Sequence, residues 1–264
     1  MDTQTRTTVS GLLSHLSRPE LSALLTQDAA RAAAWVRLLA LEGEAEAQLC
    51  YGRMLLEGTG VPRDPAGALV WFGRAAEQGH IAAVNMVGRC HDMGWGTAED
   101  PATAAVHFSQ AAAAGHAWAL YNLGHLYLDG RGVPRDPVRA VDCYRRAAEG
   151  GHPRAMNLLG RCCEEGWGMP PDPEAARTWY ECSALGGYFR GQFNWASILV
   201  RLGRLDEAAD WFAKAAASGT AAVREATAAA VASAARQSGH AKLLALALRL
   251  GHGRSTSGTA IGAG

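Results

Sequence analysis

A period of 36 residues runs through the middle of this 264-residue chain. Four consecutive blocks begin at Ala45, Ile81, Ala117 and Pro153. Each block carries a glycine at its eighth position, then a Gly-x-Gly stretch, then an Asp-Pro pair. A fixed period of this length is typical of solenoids, in which each small unit buries its apolar face only by stacking on its neighbours. The period therefore predicts a stack of like units rather than one irregular core.

Each block divides into two predicted helices, which we name helix A and helix B. The first 13 or so positions carry apolar residues at positions 3, 7 and 11, a helical spacing that predicts helix A. The Gly-x-Gly stretch ends helix A, because glycine readily adopts a left-handed conformation. The Asp-Pro pair starts helix B, since aspartate accepts hydrogen bonds from unpaired amides and proline suits the first helical position.

The repeated residues resemble the Sel1-like repeat, a relative of the tetratricopeptide repeat. The pattern they match is A-x-A-x-x-x-L-G-x-x-Y-x-x-G-x-G-V-x-x-D, followed by A-x-x-W-Y-x-x-A-A-x-x-G-H. Ala117 to His152 is the copy nearest to it, and the match extends over Ala45 to Tyr188. This resemblance implies an all-α fold, a right-handed α/α superhelical solenoid of Sel1-like and tetratricopeptide-like helix pairs. It also implies a scaffold that binds proteins and carries no catalytic site.

The N-terminal flank, residues 1–44, is expected to form helices that include a lone helix B at Asp28–Glu44, one period before Asp64–His80. Its helix A partner should lie within Val9–Thr26, where Ser17 and Glu20 have the spacing of a capping box.

Beyond the four repeats of residues 45–188, we expect Phe189–Thr220 to form a shortened repeat with a turn of tetratricopeptide type. Residues 221–250 are predicted to form a pair of capping helices, because an open solenoid end would expose its core. The tail, residues 251–264, is too poor in apolar groups to fold. All the folded segments are expected to form one continuous domain.

Composition and motifs argue against several classes of function. The 25 basic and 25 acidic residues balance, and the basic residues are scattered, so neither nucleic acid nor an anionic membrane is an expected partner. The start lacks the pattern of a signal peptide, and no apolar stretch reaches the roughly 18 residues that span a bilayer. We therefore expect a cytoplasmic protein.

The motifs of nucleotide-binding sites, serine hydrolases and zinc proteases are absent, so we predict no enzyme and no cofactor.

The cysteines and histidines favour structural roles. The six cysteines follow no recurring position that would staple helix A to helix B, and their spacing does not suit zinc, so we expect buried free thiols. His80, His116 and His152 recur at the junctions between repeats, where we expect a structural role rather than metal binding.

One face of helix A has the composition of a binding surface. A helix turns by about 100° per residue, so positions 2, 5, 9 and 12 lie opposite the core positions. The resemblance implies that helix A lines the concave surface of the solenoid, where peptide ligands bind in such repeats. The candidate partner-binding residues of this groove are Arg53, Asn85, Arg89, Trp118, Tyr121, His125, Asn157 and Arg161.

These side chains suit a protein or peptide that carries an acidic group or a C-terminal carboxylate. Arginine offers a planar fork to a carboxylate, asparagine both donates and accepts, and the aromatic rings provide rigid apolar anchors. The alternative is a solvated helix face, because Arg53, Arg89, His125 and Arg161 each precede an acidic residue by three or four positions.

Two functions remain open at this point. The first is an adaptor or scaffold that binds a partner in the concave groove. The second is a regulator or inhibitor that grips a folded enzyme through its loops. Trp95 and Trp167, each within a Gly-Trp-Gly loop, would contribute to that grip if they are exposed rather than packed.

Overall fold

The computed structural model describes residues 28–252, and within that range the chain forms thirteen α-helices and no β-strand. In chain order the helices are α1 (Ala29–Leu41), α2 (Ala45–Glu57), α3 (Pro65–Glu77), α4 (Ile81–Met93), α5 (Pro101–Ala113), α6 (Ala117–Asp129), α7 (Pro137–Glu149), α8 (Pro153–Glu165), α9 (Pro173–Leu185), α10 (Phe189–Arg201), α11 (Leu205–Ser218), α12 (Ala221–Ser238) and α13 (Ala241–His252).

The helices belong to two compact units, one ending at Arg135 and the other beginning at Asp136. The first unit contains α1 to α6 and the second contains α7 to α13. Within each unit, successive helices pack against one another in pairs, and the pairs stack. The predicted fold class, an all-α solenoid of Sel1-like helix pairs, is confirmed.

Each helix A ends at the first glycine of its Gly-x-Gly loop. The helices α2, α4, α6 and α8 are 13 residues long and are followed by glycines in the left-handed conformation. In α4, for example, Gly94 has a φ of 65° and its N–H donates to the carbonyl of Cys90. Glycine adopts this conformation without the steric cost that a side chain would impose.

Each helix B begins at its Asp-Pro pair. In α3 the Asp64 carboxylate accepts from the N–H of Gly67 at 2.9 Å, while Pro65 occupies the first helical turn, where its missing N–H costs nothing. The aspartates that precede α5, α7 and α9 make the same contact at 3.0 Å. Asp28 caps α1 in this way too, and α1 lies within the segment that the sequence predicts as a lone helix B.

The glycine at position 8 lets an aromatic ring of helix B lie directly against helix A. A Cβ placed on Gly88 would come within 2.7 Å of the fully buried ring of Phe108. Phe72 and Tyr180 are buried in the same way against Gly52 and Gly160. These rings are among the largest fully buried side chains, and close packing leaves no space for another carbon atom.

The second glycine of each loop joins a repeat to the one before it. Gly96 has a φ of 75°, and a Cβ there would overlap the carbonyl group of Pro65 at the start of the preceding helix B. Gly60, Gly132 and Gly168 press in the same manner against Ala29, Pro101 and Pro137. We call this backbone contact the glycine joint.

The C-terminal flank contains four helices after α9. Helices α10 and α11 lie in the segment predicted as a shortened repeat, and α12 and α13 form a pair where capping helices were expected. The helix predicted within residues 9–26 and the tail from residue 253 lie outside the described residues.

All six cysteines are free thiols, and four of them are buried. Burial raises the pKa of the thiols of Cys90, Cys143 and Cys162 to about 11, so they are protonated at neutral pH.

Among the helices of residues 28–252, none combines the length and the apolar character needed to traverse a bilayer.

Candidate functional site

Four of the predicted groove residues line one cleft in the first unit. This cleft has a volume of about 530 Å³, and its wall includes Arg53 from α2, Asn85 and Arg89 from α4, and Trp118 from α6. Those three helices are the A helices of three successive repeats. Stacking of the repeats therefore brings together side chains that are far apart in the sequence.

The charges that line the cleft are mostly positive. Three arginines, Arg53, Arg63 and Arg89, line the cleft together with one acidic residue, Glu57. Arg53 is exposed and forms no ion pair with any residue in the described range, so the predicted Arg53–Glu57 helix pair is not formed. A cleft of this kind attracts an anion and repels a cation.

Arg89 lies over a loop tryptophan. Its guanidinium carbon is 4.8 Å from the centre of the Trp95 ring. Trp95 is itself half-buried and packs against the core of the first unit, so the loop tryptophan is packed rather than projecting. Nη1 of Arg89 also donates to Sδ of Met86 at 3.7 Å. Stacking over an aromatic face limits the motion of the guanidinium plane.

His116 contributes a neutral donor to the cleft wall. Its Nδ1 accepts from the N–H of Ala119 at 3.2 Å and so caps α6, which leaves the ring proton on Nε2. Burial, with smaller effects of Arg53 and His80, holds the pKa of His116 below its ordinary value. His80 and His152 cap α4 and α8 by the same contact, so the recurring histidines have a structural role.

Asn85 is almost fully buried and has a partner inside the protein. Its Oδ1 accepts from Nδ2 of Asn122 at 3.1 Å, across the junction between two repeats. The sequence predicts that both groups of the Asn85 amide are available to a ligand. In the structure the oxygen is occupied, and the NH₂ group is the part that remains to donate. Asn122 was not among the predicted residues, because its contact depends on how two repeats stack.

Tyr121 and His125 form an aromatic row with Trp118 along α6. The Tyr121 ring lies edge-on to Trp118 at 5.9 Å and edge-on to His125 at 4.7 Å. Trp118 is 43% exposed, whereas the other two are half-buried. Of the three, Trp118 alone is among the residues that line the cleft, so it is the side chain placed to meet a partner.

The last two predicted residues belong to the second unit. Asn157 is almost fully buried and its Oδ1 accepts from Nδ2 of Asn194 at 2.9 Å. Arg161 lies over Trp167, with 4.7 Å between the guanidinium carbon and the ring centre. Among residues 136–252 the predicted Arg161–Glu165 ion pair is not formed. That all eight predicted residues belong to one groove stays a prediction.

Titration of three histidines should make the first unit sensitive to acid. Burial lowers the pKa of His107, His116 and His125, so the folded state binds their protons less readily than the unfolded state. The free energy of unfolding should therefore be largest above a pH of about 6.5, the pKa of histidine in the unfolded chain. It should decrease as the pH drops below that value. Thermal melts between pH 7.5 and 5.5 measure this fall.

A matched variant isolates one of these histidines. His116→Asn keeps a capping oxygen for α6 but removes the titrating ring. The drop in melting temperature on acidification should be smaller in this variant than in the wild type. An equal drop in both would show that His116 does not contribute to the acid sensitivity.

The residues of the cleft have no evident metal chemistry. Across residues 28–252 no group of three or more histidine, cysteine, aspartate or glutamate side chains has the arrangement of a metal site. What the cleft offers is cationic hydrogen-bond donors and an exposed aromatic ring, which suit recognition of an acidic group.

Comparison with known proteins gives consistent results. The Sel1 repeat profile matches residues 43–80, 81–116, 119–152, 153–188 and 205–220, more than half of the chain. No curated protein is detectably similar to the sequence.

Several solved structures share the fold. A protective antigen of uropathogenic Escherichia coli that displays the SLR fold, c5321, is 28% identical with a TM-score of 0.66, over 91% of this chain and 54% of that protein. This chain thus spans about half the length of that relative. A Sel1 repeat protein from Oxalobacter formigenes is 26% identical with a TM-score of 0.68, over 80% of this chain and 92% of that one. The immunity protein PA5088 from Pseudomonas aeruginosa, 20% identical with a TM-score of 0.53 over 69% and 67% of the two chains, shares the fold alone.

Proposed function

This chain belongs to the Sel1 repeat family, whose repeats generally mediate protein–protein interactions, and from that premise we propose that it is an adaptor or scaffold that binds a protein partner through its helix A surface. Sel1 repeats are typically non-catalytic. We further propose that it acts in the cytoplasm, because six free thiols suit a reducing compartment.

The observation that carries the proposal is the cleft of the first unit. The helical period, together with the resemblance to Sel1-like repeats, predicts Arg53, Asn85, Arg89 and Trp118 as groove residues, and these four line one cleft. A solvated helix face would not require its side chains to converge, and the helix pair that this alternative assigns to Arg53 is not formed in the described residues.

The partner that fits this cleft is a peptide segment with a carboxylate. The guanidinium of Arg89, stacked over Trp95, is a charged donor to a carboxylate, and Arg53 adds a second positive charge. Trp118 offers an exposed ring for a neighbouring apolar side chain. Both a side-chain carboxylate and the carboxylate of a chain end satisfy this chemistry.

The second candidate, a regulator that grips a folded enzyme with its loops, finds less support. Trp95 packs on the core beneath Arg89 instead of projecting. Arg131, at the matching position of the next loop, forms ion pairs with Asp92 at 3.1 Å and Glu99 at 2.9 Å. Loops whose side chains already have partners within the protein have less to offer an enzyme surface.

Affinity capture from an extract of the cell of origin tests the proposal. Wild-type protein should retain a partner that the double variant Arg53→Ala/Trp118→Ala loses, as quantified by mass spectrometry. Arg74→Ala is the matched control, because Arg74 also stacks on a tryptophan, Trp71 at 4.5 Å, but lies on helix B and does not line the cleft. Loss of the partner in Arg131→Ala, with retention in the cleft variant, would favour the loop-binding regulator.

A further inference from the structure

The contacts around Asn85 recur 72 residues later in the chain. Asn85, Arg89, Trp95 and Asn122 correspond in register to Asn157, Arg161, Trp167 and Asn194. The Asn–Asn hydrogen bond is 3.1 Å in the first set and 2.9 Å in the second, and the Arg–Trp distances are 4.8 and 4.7 Å. We call each set of four residues an Asn-Arg-Trp element, the first in unit one and the second in unit two.

The spacing of the two elements is two repeats, and the repeat between them has different residues. There Tyr121 and His125 replace the asparagine and arginine and pack edge to face, and Arg131 stands in place of the loop tryptophan. Helix α6 of this repeat has the same length, histidine cap and terminal glycine as α4 and α8, so helix A does not require the Asn-Arg-Trp element in order to form.

Position 5 of helix A also distinguishes the repeats that have the element from those that lack it. The repeats without the element place Leu49, Tyr121 or Phe193 there, all of them apolar or aromatic. Leu49 is 2% exposed and Asn85 is 5% exposed, so the two occupy similar environments. Burial of an amide costs free energy where an apolar side chain would gain it. A buried asparagine at the same position in two repeats therefore suggests a use for its hydrogen bonds.

Each element arranges its donors in the same way. The asparagine of the following repeat holds the oxygen of Asn85 or Asn157, which leaves the NH₂ group to donate. The tryptophan beneath the arginine limits the motion of its guanidinium plane. In the second unit Arg154 adds a further positive charge, stacked over Tyr188 at 5.5 Å, and Arg161 forms no ion pair within residues 136–252.

We infer that the protein is bivalent: each Asn-Arg-Trp element binds one carboxylate-bearing residue of a protein partner. The inference rests on the proposed function and extends it to a second, equivalent element. Asn122 and Asn194 are positioning residues, which act through the asparagine that each one orients. The partner class is a protein segment, or a pair of segments, that presents two acidic residues.

Selection of displayed random peptides with free C-termini tests each element separately. Arg161→Ala leaves the first element intact, Arg89→Ala leaves the second intact, and the double variant leaves neither. Both single variants should enrich peptides with a shared acidic residue, and each selected peptide should bind the double variant at least tenfold more weakly. Arg74→Ala, outside both elements, should select as the wild type does, and thermal melts confirm that every variant is folded.

Follow-up peptides identify the carboxylate. A peptide that loses binding on C-terminal amidation supplies the carboxylate of the chain end, and one that loses binding on Glu→Gln or Asp→Asn exchange supplies that of a side chain. Retention of binding through both changes would overturn the inference. Arg89→Lys in the Arg161→Ala background should bind more weakly than arginine does, because lysine keeps the charge but lacks the planar fork.

A further variant tests the positioning role of Asn194. Asn194→Leu in the Arg89→Ala background should weaken binding of the selected peptide, whereas a purely structural role would lower the melting temperature without changing affinity at 20 °C. If Arg89→Ala selects no acidic peptide while Arg161→Ala does, the second element is not a site and the proposed function stands. If neither variant nor the wild type selects peptides that the double variant fails to bind, the inference and the proposed function both fail.

Discussion

Gly96→Ala should lower the free energy of unfolding by about 3 kcal/mol or more, whereas Gly94→Ala, two residues earlier, should cost about 1–2 kcal/mol. Both glycines have positive φ values, 75° and 65°, so both variants incur the left-handed backbone cost of a side chain. A Cβ on Gly94 meets only ordinary contacts, the nearest at 3.5 Å from the carbonyl oxygen of Thr97. A Cβ on Gly96 overlaps the Pro65 carbonyl and lies 2.7 Å from Cα of Ala66. Backbone atoms cannot move aside as the end of a flexible side chain can, so the glycine joint must open.

Urea unfolding of the two variants side by side measures the difference. Because the backbone cost is common to both, the excess loss in Gly96→Ala is the contribution of the glycine joint. Gly115→Ala is a second control, since it has a φ of 78° and no atom within 4 Å of the added carbon. Equal losses at Gly94 and Gly96 would show that the loop can shift away from the preceding helix without cost.

The double variant Arg89→Ala/Arg161→Ala should bind the partner at least a hundredfold more weakly than the wild type. A hydrogen bond to a charged group contributes about 1.5–3 kcal/mol, and about 1.4 kcal/mol changes an equilibrium constant tenfold. Loss of one such contact at each arginine therefore gives about 3 kcal/mol or more. Folding should be little affected, because both side chains are only half-buried and surface contacts of this kind contribute little to stability.

Titration calorimetry with the captured partner, with thermal melts of each variant, provides the measurement. Asn85→Ala and Asn157→Ala should add to the loss. Trp95→Ala should also weaken binding, by less than the arginine change, because it removes the surface on which Arg89 lies. Unchanged affinity in the double arginine variant, with a large loss in Arg131→Ala, would contradict binding in the cleft.

The helices could be predicted from sequence because their boundaries are encoded locally. Glycine ends each helix A through its left-handed conformation, and aspartate with proline starts each helix B; both effects act within three or four residues. The periodic pattern also selected Arg53, Asn85, Arg89 and Trp118, which the structure brings to one cleft. Periodicity identifies the face of a helix, and stacking of like repeats aligns those faces.

Contacts between repeats could not be predicted in the same way. The Asn122–Asn85 hydrogen bond joins residues 37 positions apart, and its formation depends on the distance and rotation between two helices. The packing of Trp95 beneath Arg89 depends on the path of the loop after Gly94. A residue at a known position on a helix face still has several possible rotamers, and only its neighbours in space select one.

The glycine joint also bears on how such a chain can change in length. Each joint uses the same two parts, the second loop glycine and the first residues of the preceding helix B, so the joint of Gly60 with Ala29 matches that of Gly168 with Pro137. Duplication or loss of a whole repeat during evolution recreates an identical joint at the new boundary and leaves the backbone path intact. Gain of one repeat between the two Asn-Arg-Trp elements would lengthen the chain between them by one 36-residue period without altering the residues of either element.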